Sequence, residues 1–203
     1  VLDLDEDLYR SGEWSVRLFA EVMTPSSPRW MQGSKEMVES ASEEEVIAGI
    51  ADHVSEVLMQ NEQLIIWGSG GTLRRIAEIC GLNPTLLGID ASVGSTQIGT
   101  DLDEAGLLRI LNEHQGDVTI LLSPMGGQGF LIGRGNLQIS PSVLEIARPQ
   151  SVLGICTPSK LLTIRALRIE TGDPNLDSLF RDMKYLKVLQ GYRTTRILPV
   201  TVD

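Results

Sequence analysis

Two glycine-rich segments are the residues of this chain best suited to bind a ligand. The first, Gly68-Ser69-Gly70-Gly71-Thr72, follows the apolar run Leu64–Trp67 and opens into a helix-like stretch. The second spans residues 126–136 and follows the apolar run Thr119–Leu122. Glycine lets a backbone approach a ligand closely, and the free N–H groups and dipole at a helix start favour an anion. Together the two segments predict a site for a phosphorylated small molecule.

The first segment has two interpretations. Gly68, Ser69, Gly70, Gly71 and Thr72 could form a phosphate cradle in which the two hydroxyl groups donate hydrogen bonds. They could equally form a tight strand-to-helix turn in which Ser69 or Thr72 caps the helix. The segment is not a Walker A loop, because no Gly-Lys-Ser/Thr follows, and Leu73 stands where a dinucleotide fingerprint needs its third glycine.

The second segment carries more polar groups. Its predicted ligand-binding residues are Gly126, Gly127, Gln128, Gly129, Arg134 and Asn136. A guanidinium between two glycines suits a carboxylate or a phosphate, and the Gln128 and Asn136 amides could contact a base or a sugar. The alternative is a hairpin or bulged loop that packs against the first segment. Because strand-end loops of open α/β sheets bind ligands, we predict a ligand role.

Asp90 ends the apolar run Leu86–Ile89 and is therefore predicted at the carboxyl end of a strand. There its carboxylate could bind ribose hydroxyls or act as a base. It could equally cap the loop Ala91–Gly94. Thr157, which ends another apolar run, could line the same rim.

Composition limits the classes of partner. The 203 residues carry a formal net charge of −10 and a pI of about 4.7, which argues against nucleic-acid binding. The sequence lacks an apolar run of about 18 residues and a cationic signal region, so we expect a cytoplasmic protein without a membrane partner. Cys80 and Cys156 are expected as buried thiols, and the two isolated histidines predict no metal site.

Apolar runs alternate along the chain with segments of helical periodicity. Val46, Ile50 and Val54 recur at helical spacing and predict an amphipathic helix at about 43–60. Further strands are predicted at about 63–67, 86–90, 118–122 and 152–156, and further helices at about 72–80, 103–113 and 141–147. Residues 184–189 and 193–200 predict an antiparallel pair. The fold is therefore predicted as α/β, with three layers, a mostly parallel sheet flanked by helices, and an antiparallel β segment near the C-terminus.

The first part of the chain has a different organisation. Residues 14–23 predict a strand and residues 30–41 a linker, so we expect an N-terminal strand and linker over 1–41 and an α/β domain over 42–203. Because the sequence starts at Val1 without an initiator Met, we expect that this chain was cut from a longer one and continues from an upstream domain.

Residues 125–136, with Gln138–Pro141 after them, resemble the ATP-NAD kinase-like family that includes the acetoin-catabolism protein X type. The resemblance covers nearly the whole chain. Its other matching segments are Asp3–Glu6, Gln32-Gly33, Leu86–Asp90, Thr157–Leu161 and Arg168–Asp173.

This resemblance implies a parent enzyme that phosphorylates NAD to NADP with ATP and a divalent metal. It also implies that this chain is the C-terminal part, partnered by the kinase domain upstream in the same parent chain. The family's Gly-Gly-Asp-Gly-Thr motif, whose Asp is linked to phosphoryl transfer, is absent, and Gly68–Thr72 mimics it only superficially. We therefore assign no catalytic residue and expect this fragment alone to be inactive.

We expect Gly68–Thr72, Asp90 and Gly126–Asn136 to form one rim that binds a phosphorylated ligand of the parent enzyme. Two alternatives stay open. The strand–Gly-Ser-Gly-Gly-Thr–helix pattern also resembles sugar-phosphate isomerase and sensor domains, which implies a regulatory phosphosugar-binding module without chemistry. The second alternative is a dimerisation domain, in which the glycines serve packing in a homo-oligomer.

Overall fold

A computed structural model describes residues 2–4, 16–18, 41–60 and 62–202 of the chain. The chain divides into two compact units, Val1–Ser40 and Ala41–Asp203. In the first unit, strand β1 (Leu2–Leu4) pairs antiparallel with β2 (Val16–Leu18). Strand β2 lies within the strand predicted at 14–23. The rest of that prediction, and the predicted linker up to Ser40, fall outside the described residues.

The second unit is built on one nine-stranded sheet. Its strands β3 to β11 are, in chain order, Leu64–Trp67, Asp90–Val93, Thr96–Gly99, Val118–Leu122, Phe130–Ile132, Val152–Ile155, Leu167–Ile169, Tyr185–Gly191 and Thr194–Val202. Their order in the sheet is β5-β4-β3-β6-β8-β10-β11-β9-β7. Strands β3, β6, β8 and β10 are parallel neighbours. Strands β10 and β11 form the predicted antiparallel pair.

Helices follow most of these strands. They are α1 (Ala41–His53), which continues as a π-helix over Val54–Leu58, α2 (Gly71–Ile79), α3 (Glu104–Glu113), α4 (Pro141–Ala147), α5 (Pro158–Leu161) and α6 (Pro174–Met183). Side-chain caps define several starts: Asp103 accepts from the Gly106 N–H, and Ser140 from the Val143 N–H. Across the described ranges, no helix combines the length and apolar character that crossing a bilayer requires.

The two faces of the sheet are covered by different helices. Leu64 and Ile66 of β3 belong to one buried cluster, which includes residues of α3, α4 and α6. Ile65 and Trp67 belong to a second cluster, which includes residues of α1 and α2. Alternate side chains of a strand point to opposite faces, so an uninterrupted apolar run such as Leu64–Trp67 is required here. This arrangement confirms the three-layer α/β prediction.

The strand predicted at Leu86–Asp90 is wrong. Residues 86–89 form an irregular loop, and the strand begins at Asp90, which pairs with Trp67 in an antiparallel register. The buried Leu86 and Ile89 explain the apolar run, because they fill the core from a loop. The Asp90 carboxylate accepts hydrogen bonds from the N–H groups of Thr85 and Asp101 and thereby folds this loop back.

His53 occupies the junction between α1 and the π-helix. Its ring lies edge-on to the Tyr192 ring at 6.4 Å, and Tyr192 donates a hydrogen bond of 2.6 Å to Glu56. The buried Nδ1 of His53 has no hydrogen-bond partner among the described residues. Burial lowers the pKa of His53 below its usual 6.5, nearby Arg193 lowers it further, and Glu56 opposes both effects. The fold therefore favours the neutral ring.

This preference predicts that acid destabilises the fold through His53. A histidine whose pKa is lower in the folded state contributes stability above pH 6.5, and that contribution is lost as the pH falls below 6.5. We expect the free energy of unfolding, measured by urea denaturation between pH 7.5 and 5, to fall less steeply in His53→Gln than in the wild type. His114→Gln is the control, and an unchanged slope in His53→Gln would contradict the prediction.

Candidate functional site

The two glycine segments contact each other in the folded chain. The Ser69 hydroxyl donates a hydrogen bond of 3.0 Å to the Gly135 carbonyl oxygen. The Gly68 N–H donates to the Leu121 carbonyl oxygen at 2.9 Å, which joins the first segment to the end of β6. Gly70 is the N-cap residue of α2, and no side chain caps this helix, so the interpretation of Ser69 or Thr72 as the helix cap is wrong.

The connections that follow β3 and β6 diverge to opposite faces of the sheet, and we call the point of divergence, between Gly68–Thr72 and Gly126–Asn136, the crevice. The chain leaves β3 toward α2, whose Leu73 and Ile76 belong to the second buried cluster. It leaves the adjacent β6 toward β7 and α4, whose Leu131 and Leu144 belong to the first cluster. Open α/β sheets bind ligands at the carboxyl ends of strands whose connections diverge in this way. The glycine segments therefore lie at the position where such a fold accepts a ligand.

The glycines of the two segments fall into two groups. A Cβ at Gly68 would lie 2.7 Å from the Leu122 side chain, and one at Gly129 would overlap the Ala166 carbonyl oxygen, so packing requires both glycines. A Cβ at Gly70, Gly126 or Gly127 would have no atom within 4 Å. At these three positions the backbone is open to an approaching molecule.

Arg134 is exposed, and its guanidinium carbon lies 4.2 Å from the centroid of the buried Phe130 ring. The Arg168 guanidinium carbon lies 4.5 Å from the same centroid. Stacking on an aromatic face restrains a guanidinium without using its N–H groups. The arrangement therefore holds Arg134 in the second segment with its planar set of donors available to an anion. Gln128, in the tip of the same segment, is also exposed.

Asn136 and Asp90 use their side chains within the protein. The Asn136 amide donates to the Leu131 carbonyl oxygen at 2.8 Å and accepts from the Gly133 N–H at 3.2 Å, which closes the second segment. Asp90 is buried and starts β4, not the carboxyl end of a strand. It does not cap a loop at Ala91–Gly94, because residues 91–93 belong to strand β4. Asp90 is linked to the first segment through its partner Thr85. The next residue, Leu86, accepts a hydrogen bond from the Gly70 N–H at its carbonyl oxygen.

The structure adds the polar residues Lys160, Ser123 and Glu43, which sequence reasoning did not assign, near Thr157, which it predicted for the rim. Lys160 of α5 donates a hydrogen bond of 3.1 Å to the hydroxyl of Ser123, the residue that follows β6. Thr157, beyond β8, donates one of 2.8 Å to Glu43 of α1. For Ser123 the available signal was positional, because it stands just beyond the apolar run Thr119–Leu122.

Among the described residues, the thiols and acidic groups show no metal-binding arrangement. Across the described ranges, no group of three or more His, Cys, Asp or Glu side chains could hold a metal ion, so the residues present do not fit the divalent metal that the family implies. Burial raises the pKa of both Cys80 and Cys156 to about 11. Cys156 is buried as predicted, whereas Cys80 is only partly so.

A family model described as the ATP-NAD kinase C-terminal domain matches residues 60–200. The match covers more than half of the chain and includes both glycine segments. The chain therefore belongs to the ATP-NAD kinase C-terminal domain family, as its resemblance indicated. Comparison with curated proteins and with solved structures gave no match.

The two groups of glycines predict two kinds of variant. Gly133 has a φ of 102°, and a Cβ there would overlap the Glu170 carbonyl oxygen, so we expect Gly133→Ala to lower the free energy of unfolding by about 2–4 kcal/mol. Gly127→Ala adds a Cβ in open space and should change it by less than about 1 kcal/mol. Urea denaturation measures both values, and equal losses would contradict this division.

Asp90 predicts a loss of stability when its carboxylate is removed. Asp90→Ala leaves the N–H groups of Thr85 and Asp101 without their acceptor, so we expect the free energy of unfolding to fall by about 1–3 kcal/mol. The exposed helix residue Asp182 provides the control variant Asp182→Ala, with an expected change below about 0.5 kcal/mol. The prediction fails if thermal or urea denaturation finds the two variants equally stable.

Proposed function

We propose that this domain binds the phosphorylated ligand of an ATP-NAD kinase-like protein in the crevice between Gly68–Thr72 and Gly126–Asn136. The observation that carries the proposal is the Ser69–Gly135 hydrogen bond, because it joins the two glycine segments at the point where their strands diverge to opposite faces. The parent reaction is ATP-dependent phosphorylation of NAD to NADP.

The open glycines support a phosphate as the bound group. Phosphate oxygens need several donors at short range, and backbone N–H groups supply them where no Cβ stands in the way. Gly70 precedes the first turn of α2, whose N–H groups are not satisfied by the helix itself. Gly126 and Gly127 offer a similarly open backbone on the other side of the crevice.

Charge supports the same ligand. A chain with a formal net charge of −10 repels anions on average, so an anionic ligand needs a local cation. Arg134 supplies one within the second glycine segment, where stacking on Phe130 restrains it. Gln128 adds an exposed amide for a base or sugar.

Phosphoryl transfer itself is assigned to the upstream part of the parent protein. Such transfer depends on positioning and on metal ions that neutralise the developing charge. The described residues do not form a metal site, so no step involving the metal is assigned to them. Binding and orientation of the ligand are the contribution of this domain, with ATP, NAD and NADP as the nucleotides to test.

A thermal shift assay on the full chain tests the proposal. We expect ATP, NAD or NADP at a hundredfold excess over its Kd to raise the Tm by about 5 °C or more. We expect Arg134→Ala to weaken this binding about tenfold or more. Arg181→Ala removes an exposed arginine of α6 and should bind as the wild type does.

Three results would contradict the proposal. A shift with fructose 6-phosphate but with none of the nucleotides would favour the regulatory phosphosugar module. No shift with any of them, together with an Arg134→Ala variant that changes only self-association, would favour the dimerisation domain. Phosphorylation of NAD by this chain alone would overturn the assignment of catalysis to the upstream part.

A further inference from the structure

Lys160 and Ser123 form a polar pair beyond the carboxyl ends of two central strands of the sheet. They come from the connections that follow β8 and β6, which are adjacent parallel strands. The Lys160 ammonium donates to the Ser123 hydroxyl oxygen at 3.1 Å. Ser123 lies only three residues before Gly126, so the pair holds a positive charge at the base of the second glycine segment.

The hydrogen bond defines what Ser123 can offer a ligand. A hydroxyl group carries one donor hydrogen and two acceptor lone pairs. Because the Ser123 oxygen accepts from Lys160, its hydrogen remains available to donate, and no acceptor for it is found in the part of the chain that the structure describes. Ser123 is 9% exposed, so this donor sits in a largely buried setting beside an ammonium.

Neighbouring groups restrict the place where an anion can bind. Thr157 donates its hydroxyl hydrogen to Glu43 at 2.8 Å, and its oxygen lies 3.1 Å from the Ser159 hydroxyl oxygen. The Glu43 carboxylate would repel an anion on the Thr157 side. The Lys160–Ser123 side, which leads to Gly126, is the favourable one.

We propose that Lys160 and Ser123 form a phosphate subsite that binds phosphoryl oxygens of the ligand in the crevice. This inference rests on the proposed function and extends it. Arg134 and Lys160 then act at opposite ends of the second glycine segment, with the open Gly126 and Gly127 between them. Such a site is complementary to a ligand whose negative charge is distributed along a phosphoanhydride.

Calorimetric titration of the full chain tests the subsite, with inorganic pyrophosphate and ATP as separate probes at constant ionic strength. We expect Lys160→Met to weaken the binding of both probes about ten- to a hundredfold, and Ser123→Ala about three- to tenfold. Lys187→Met removes an exposed lysine of β10 and should leave both Kd values unchanged. Lys160→Arg should retain more affinity than Lys160→Met.

The outcomes separate the two proposals. Wild-type affinity in both Lys160→Met and Ser123→Ala, while Arg134→Ala still weakens ATP binding, would overturn the subsite and leave the proposed function intact. No binding of either probe, or of NAD and NADP, by the wild type would overturn both. Circular dichroism establishes that each variant is folded, and Ser123→Ala decides the question if Lys160→Met does not fold.

Discussion

Burial of both faces of the parallel strands is the constraint on which the rest of the structure depends. Ile65 and Ile66 are adjacent in β3 and are both fully buried, yet they belong to different hydrophobic clusters. A strand that is covered on both faces, such as β3, must therefore be apolar along its whole length, and the helices must be divided between the two faces. The ends of such strands are where polar side chains can face a ligand, and Ser69, Ser123 and Thr157 are found there.

The glycine segments serve this arrangement in two ways. Gly129 and Gly133 let the chain pass close to the carbonyl groups of Ala166 and Glu170, which packs the second segment against the residues that flank β9. Gly126 and Gly127 have open space beside them instead. One short segment thus combines a fixed frame with an accessible backbone, which is the combination that the proposed ligand role requires.

Local signals predict the elements more readily than the contacts within the candidate site. Strand β6 and helix α4 follow from an apolar run and from the Ser140-Pro141 start, because burial and capping act over a few residues. The site depends on distant pairs: Ser69 and Gly135 are 66 residues apart, and Ser123 and Lys160 are 37 apart. Asp90 was misplaced for the same reason, since its distant register with Trp67 sets where the strand begins.

Hydrogen–deuterium exchange of the full chain, with and without a saturating nucleotide, tests the central claim most directly. Amide exchange reports local opening and its suppression by a bound ligand. If ATP, NAD or NADP binds in the crevice, exchange should slow in Gly68–Thr72 and Gly126–Asn136 together, while the hairpin of β4 and β5 exchanges at an unchanged rate. Protection confined to other parts of the chain, or protection of only one of the two segments, would contradict the account.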